Sequence, residues 1–409
     1  MKYYIILSPS SVFKGHLQAL YQPQQYKLIL ISGLPWNKKN FYRDISQLTS
    51  PYFSAIHQLA EFNLATVGAL IKSYIDKVGA HNLYLLTDDE MGVLLSAQLR
   101  EIFNLFGPRC PQILPFIDKV IMKSYLQQAN IRLPRYKSFN LADYRRNPVM
   151  YIEQQVDYLG LPILVKPLRG AGSLGNHKFV DKTTFAAWCS EQDAKNLSIA
   201  YELDEFIDGK LYHCDSLIQD GKILLSQVCE YSYPNMDFIS HSRILSSINL
   251  LDNDSLKQEL LAFNQKVLAA LPVPNGATHM EIFRKQNGEL IFLEIGARTP
   301  GGLISLAYEK ATGVSWALEH FRLQMQLPLK YLLPTQHRFT CGWFFVPRAE
   351  EAIIQVKKLH WQSHSQEIRW HVELDQQLTS SQSLLDVAVE GFFWDEDYQH
   401  VLHDFYSLR

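Results

Sequence analysis

The sequence predicts an α/β chain in three parts: an N-terminal parallel βαβ unit, a small α+β unit with a glycine-rich loop, and a C-terminal antiparallel sheet. Three observations predict it. Short β-rich runs alternate with helical periodicity up to about residue 115. The segment 107–115 (GPRCPQILP), with three prolines and a glycine, then interrupts the pattern. From about residue 199 the runs alternate in polarity with a period of two, as half-buried antiparallel strands do.

In chain order, 3–7 (YYIIL), 27–32 (KLILIS) and 82–86 (NLYLL) read as strands, and 54–77 carries apolar residues at helical spacing. Thr87-Asp88-Asp89-Glu90 caps a helix running to about Leu105, with acids in the first turn where the helix dipole favours them. No GxGxxG follows the first strand, so the dinucleotide fingerprint is absent there. Past the break come a helix over 117–130, an extended RLPRYKSF, a helix over 149–158, a strand over 163–167, the glycine-rich loop, a strand over 177–180 and a helix capped by Asp181. IAYELDEFI, LYHCDSLIQ and KILLSQVCEYSY then read as one antiparallel run with a turn at Asp220-Gly221. A helix over 255–270 precedes two strands, ATHMEIFRK and GELIFLEIG, around the turn Gln286-Asn287-Gly288. The tail holds FTCGWFFV, EIRWHVEL and VAVEGFFW. The expected domains are 1–115, 116–200 and 201–409, the last with a small lobe from about 331.

Composition narrows the function. Of the 409 residues 47% are apolar and 20% charged, which supports a packed core and excludes disorder. Lys and Arg total 39 against 41 Asp and Glu, so no global field would hold nucleic acid or an anionic membrane. Five cysteines without a CxxC argue against a disulfide framework and a structural zinc site. No run approaches the ~20 apolar residues of a membrane span, and MKYYIILSPSS lacks a signal-peptide cleavage pattern. A cytoplasmic protein with small-molecule partners is expected, a homodimer being the default oligomer.

Three segments carry chemistry. Lys166 precedes a loop whose Gly170, Gly172 and Gly175, with Ser173 between them, match GxGxxG but lead into a strand and not into a helix. Such a loop is a flap whose backbone N–H groups can close on phosphates, with Lys166 as a point charge; a flexible hairpin beside a surface lysine is the plainer alternative. Glu281 and Glu294 each sit in an otherwise apolar strand, and the turn between them lets the strands pair and put both carboxylates on one face. Two like charges so placed call for a cation, and Mg²⁺ suits an all-oxygen site, with Mn²⁺ as a substitute; two acids on a solvated face is the alternative. Arg298, four residues after Glu294 and followed by Gly301 and Gly302, can grip a phosphate or carboxylate, or pair with one of the glutamates.

Together these segments, in this order, resemble the ATP-grasp superfamily, and the EIGARTPGG run most resembles its L-amino-acid ligases (dipeptide synthetases). Asp118-Lys119 through Lys123 is similar to the family's DK-x-x-x-K helix start. The resemblance implies that Lys119 and Lys166 bind ATP phosphates, and that Asp204, Glu205, Phe206 and Ile207 form the hinge strand whose backbone meets adenine. It implies that His213 and Asp215 face the nucleotide, and that Glu281 and Glu294 hold the metal. Arg298 is implied as the catalytic cation, near a substrate site that takes in Gly301, His241 and Arg243. One departure stands out: many members have Asn two residues after the second glutamate, where this chain has Gly296. The implied activity is ATP-dependent joining of two amino acids through an acyl phosphate. Other acceptors such as bicarbonate, or a nucleotide-binding regulator without activity, are the alternatives.

Overall fold

Four parallel strands open the chain, in the order Ala55–Leu59, Tyr26–Gly33, Lys2–Ser8, Leu83–Thr87. Ile5, Leu7, Ile29 and Ile31 are buried against the helices Leu64–Val78 and Glu90–Ile102, as a sheet covered on its face requires. The helical spacing expected from 54 divides here. Asn63 accepts hydrogen bonds from the N–H groups of Ala65 and Thr66, which fixes the helix start at Leu64. The residues before that cap extend the sheet as an edge strand. The computed structural model describes residues 1–9, 12–13, 17–34, 43–44, 52–168, 175–195, 200–331, 339–372, 380–381, 383–384 and 386–409.

A second sheet orders its strands Tyr136–Ser138, Tyr201–Glu205, Ile163–Pro167, His177–Phe179. Helices Pro148–Leu159 and Lys182–Ala194 cover it through Ile152, Leu159, Phe185 and Trp188. Tyr201–Glu205 was expected to start the large antiparallel sheet. It pairs instead with Ile163–Pro167, setting Glu202 opposite Lys166. Alternating polarity announces a strand but not which sheet it joins. Residues 206–209 therefore form the crossing to the large sheet.

The large sheet has eight strands, in the order Leu290–Gly296, Gly276–Arg284, Lys210–Gln219, Lys222–Tyr231, Leu245–Asn249, Thr340–Pro347, Val387–Asp395, Ser365–Trp370. The three strands expected to build a separate lobe thus continue this sheet. One of its faces packs Tyr212, Cys214, Met280, Ile282 and Phe292 on the helices Lys119–Gln128 and Ser255–Ala270. The other meets the helix Ile304–Thr312, where Tyr308 and Ala311 pack with Leu303 and Trp343. The helix Trp316–Gln324 sends Leu318 and Phe321 into the core of the parallel sheet, beside Ile6, Leu30 and Leu86. This brings the C-terminal end of Leu83–Thr87 against the segment after Glu294. Among the described residues no helix is long and apolar enough to cross a membrane.

Candidate active site

The register of the large sheet builds a polar row. Glu294 stands opposite Glu281, Glu281 opposite His213, and His213 opposite Cys229. Two residues along, Gly296 faces His279 and His279 faces Asp215. Side chains two apart in a strand share a face, so the two rows form one polar stripe inside the molecule. The expected pairing of the two glutamates follows directly from this register.

Asp215 anchors the stripe. Its Oδ2 is 2.8 Å from His213 Nδ1 and accepts from the Tyr308 hydroxyl, and its Oδ1 is 2.5 Å from His279 Nδ1. His213 Nε2 lies 2.8 Å from Ser247 Oγ. Burial alone would raise the Asp215 carboxyl, but His279 and His213 outweigh it and hold the group far below its usual range. Burial likewise disfavours protonated His279, yet Asp215 pushes it up to about 9. The far nitrogen of His279 is 3.7 Å from Glu281 Oε1, and Asn235 Nδ2 donates to the same oxygen at 2.7 Å. Against the penalty of burial, these neighbours keep Glu281 low. Glu294 goes the opposite way: burial and the charge on Glu281 push it up, while Lys119 and Lys166 pull it down. Among the described residues the Glu294 side chain makes no hydrogen bond or ion pair.

A second buried charge cluster lies on the small sheet. Lys123 Nζ donates to Glu202 Oε1 at 2.6 Å and to Asp204 Oδ1 at 2.7 Å. Lys166 Nζ donates to Asp204 Oδ2 at 2.9 Å. Burial works to raise Asp204, but Lys166 and Lys123 overcome it and hold the carboxyl low. Burial and Asp204 together push Glu202 up. Lys166, Glu205, Phe206, Ile207, His241 and Leu293 line one cleft where the two sheets face each other.

Arg298 sits between two units. Its Nε donates to Glu90 Oε2 at 3.1 Å, and Thr299 donates from both N and Oγ1 to Asp88. The glutamate it pairs with thus belongs to the helix after the parallel sheet and is neither Glu281 nor Glu294. Burial opposes its charge, but Glu90, Glu294 and Asp88 favour it.

The structure brings Lys119, Lys166, Glu281, Glu294 and Arg298 into one electrostatic neighbourhood. Other expected residues are placed differently. His213 and Asp215, expected to face the nucleotide, are fully buried and hydrogen-bonded to each other behind Glu281. The Asp204 side chain holds two lysines, which leaves only its backbone for any adenine contact. Glu205 binds Arg132 and Arg135, while Phe206 lies under Lys178 Nζ at 3.7 Å from the ring centre. His241 and Arg243 are largely exposed and both reach Asp237, His241 at the cleft and Arg243 against the Tyr233 ring. A Cβ at Gly301 would meet open space. Gly170, Gly172 and Ser173 lie outside the described residues; Gly175, at φ +76°, ends that loop in a conformation glycine favours.

The sequence alone assigns no site role to Asp88 and Glu90, read as a helix cap, to Lys123, read as part of a helix start, or to Glu202 and Asn235. Asp88 and Glu90 carried a signal: acids just past the C-terminal end of a parallel strand lie where open α/β sheets place their sites. Asn235 carried none.

Residues 159–307 match the ATP-grasp domain family. The chain is 30% identical over 246 residues to the L-arginine-specific L-amino acid ligase of Bacillus subtilis, covering 58% of this chain and 56% of that protein. It thus spans little more than half the length of that curated relative. A D-alanine–D-alanine ligase of Polaromonas naphthalenivorans is 34% identical over 101 residues, 25% of this chain and 30% of that one. Among solved structures, an L-amino acid ligase from Bacillus licheniformis superposes with a TM-score of 0.71 at 14% identity, covering 100% of this chain and 97% of the other. An N5-carboxyaminoimidazole synthetase from Staphylococcus aureus complexed with ADP gives 0.67 at 13% identity, covering 100% and 97%. At such identities these two likenesses speak for the fold alone. Residues 159–307 thus carry a match to the ATP-grasp domain family, and along its whole length the chain has the fold of these solved structures.

Proposed function

We propose that the chain is an ATP-dependent carboxylate–amine ligase that joins the carboxylate of one L-amino acid to the amine of another and releases ADP and phosphate. One observation carries this reading. Glu281 and Glu294 stand directly opposite in register, and Lys119, Lys166 and Arg298 share a field with Glu294. Phosphoryl transfer asks little covalent chemistry of the protein; it needs positioned cations around phosphate and carboxylates that hold a metal. The amino-acid ligase relative supports amino acids as substrates.

In this reading Lys119, Lys166 and the loop 170–175 bind the phosphates, and the backbone of 204–207 meets adenine. Glu281 and Glu294 fit a hard divalent cation: both donors are oxygens, and one carboxylate is raised by the other with no hydrogen bond to relieve it. Mg²⁺ or Mn²⁺ there would neutralise phosphate charge. The substrate carboxylate attacks the γ-phosphorus, the bond to the ADP oxygen breaks, and an acyl phosphate forms. Arg298 stabilises the charge on the phosphoryl group in transit. The second amino acid's amine then attacks the acyl carbon, loses its proton and expels phosphate. His241, Arg243 and Gly301 lie on the substrate side, and the flap excludes water that would hydrolyse the acyl phosphate. We place the domains at 1–115, 116–205 and 206–409, the second taking in the strand Tyr201–Glu205, and the protein in the cytoplasm.

The test is ADP and phosphate release from ATP and Mg²⁺ with amino acids singly and in pairs, with mass spectrometry of the products. Dipeptide equimolar with ADP is expected. AMP and pyrophosphate would overturn the mechanism. No release with any pair would move the substrate to bicarbonate or a polyamine.

A further inference from the structure

Asn235 lies in the turn after the strand Lys222–Tyr231, where Asp237 N donates to Pro234 O at 2.9 Å. Its Nδ2 donates to Glu281 Oε1 at 2.7 Å. Its Oδ1 is buried and, among the described residues, has no hydrogen-bond partner. The orientation is chemically fixed, since turning the amide over would set an oxygen against the carboxylate oxygen. An orphaned buried amide oxygen costs about 1–3 kcal/mol unless something binds it. Here the orphan is one amide width from a carboxylate of the proposed metal pair.

Gly296 gives the second half of the argument. It faces His279 in register and offers no side-chain ligand. A Cβ there would already touch Arg298, at 3.5 Å from Cγ and 3.6 Å from Nε. The space that a side chain at 296 would claim is bordered by the Arg298 stem. We propose that Asn235 supplies the side-chain amide oxygen of the metal site from a different strand connection, so that the donor set is Glu281, Glu294 and Asn235. This rests on the reading of the glutamate pair given above. It also gives the amide two tasks: its nitrogen orients Glu281 while its oxygen faces the cation.

Mn²⁺ titrated into the full-length protein with ADP, with free Mn²⁺ followed by electron paramagnetic resonance, tests this without turnover. Wild type should bind, and Glu294→Gln should lose binding. Asn235→Ala should weaken Mn²⁺ roughly tenfold or more, as loss of a group at a metal site does. Asn235→Asp decides between ligand and mere support. It cannot donate to Glu281 at neutral pH, but it keeps an oxygen in place and adds charge. Retained or tighter Mn²⁺ binding by Asn235→Asp is the expected result. Binding weaker than in Asn235→Ala would reduce Asn235 to a support for Glu281 and overturn the proposal, as would unchanged binding in Asn235→Ala. If wild type and Glu294→Gln both fail to bind, the glutamate-pair reading falls and the proposal with it.

Discussion

The two buried charge clusters, one on the small sheet and one on the large, are built on opposite principles. On the small sheet, Asp204 lies between Lys123 and Lys166, with Glu202 completing the group. Every charge there has a partner. On the large sheet, Asp215 is matched by His213 and His279, and Glu281 by His279 and Asn235, but the Glu294 side chain faces a like charge in register and, among the described residues, makes no ion pair to offset it. The first cluster is closed, whereas the second is one cation short. A fold tolerates a closed cluster for its rigidity and an open one for what completes it.

Glu294→Gln attacks that contrast most directly. It should lower turnover by at least about 10²–10³-fold, a loss of the size seen when charge stabilisation is removed at a transition state. Yet the metal-free protein should become more stable, because the repulsion with Glu281 goes. Rates of ADP release beside melting curves in EDTA check both halves; a fall in melting temperature would mean the cluster is not open. Arg298→Ala should follow, with kcat down ~10²-fold and the KM for ATP little changed, and lysine should not restore it because the planar fork is lost. Near-normal kcat would remove Arg298 from the transfer.

Asp204→Asn opens the closed cluster. It strands Lys166, leaves Lys123 to Glu202 alone, and should destabilise the protein by about 3–5 kcal/mol in urea unfolding. A loss under 1 kcal/mol would show that the lysines need no internal counterion. The smallest effect is on pH dependence. The folded Asp204 carboxyl lies below its ordinary 3.8, so it contributes stability above that pH and loses it as acid protonates the folded form. Wild type should therefore lose stability on acidification below about pH 4, and Asp204→Asn should show a flatter acid limb. Equal slopes would contradict the pairing.

What was legible in the sequence was what is local. The Glu281–Glu294 pairing could be read because a short hairpin with a Gln-Asn-Gly turn fixes its own register. The helix Ser255–Ala270 could be read because Asp254 caps it. Lys123, Lys166 and Asp204 could not be read as a cluster, since their contacts span 81 and 38 positions and depend on which sheet accepts Tyr201–Glu205. The buried network of His213 and Asp215 is illegible for a related reason. Polar residues in an apolar strand fit a ligand face or an internal network equally well, and Tyr308, nearly a hundred residues on, decides between them. The flap glycines Gly170 and Gly172 were legible as a motif, but they lie outside the described residues.

The grip of Asp88 and Glu90 on Thr299 and Arg298 has a consequence for modularity. The first hundred residues carry none of the family's phosphate-binding pattern, yet they furnish the counterions of the proposed catalytic arginine. A hybrid that took its leading unit from another chain of this fold would inherit that unit's electrostatics beside Arg298. Recombination between such chains is thus constrained at a seam that no single-domain comparison reveals, and partners exchanging this unit must carry matching acids after the fourth parallel strand.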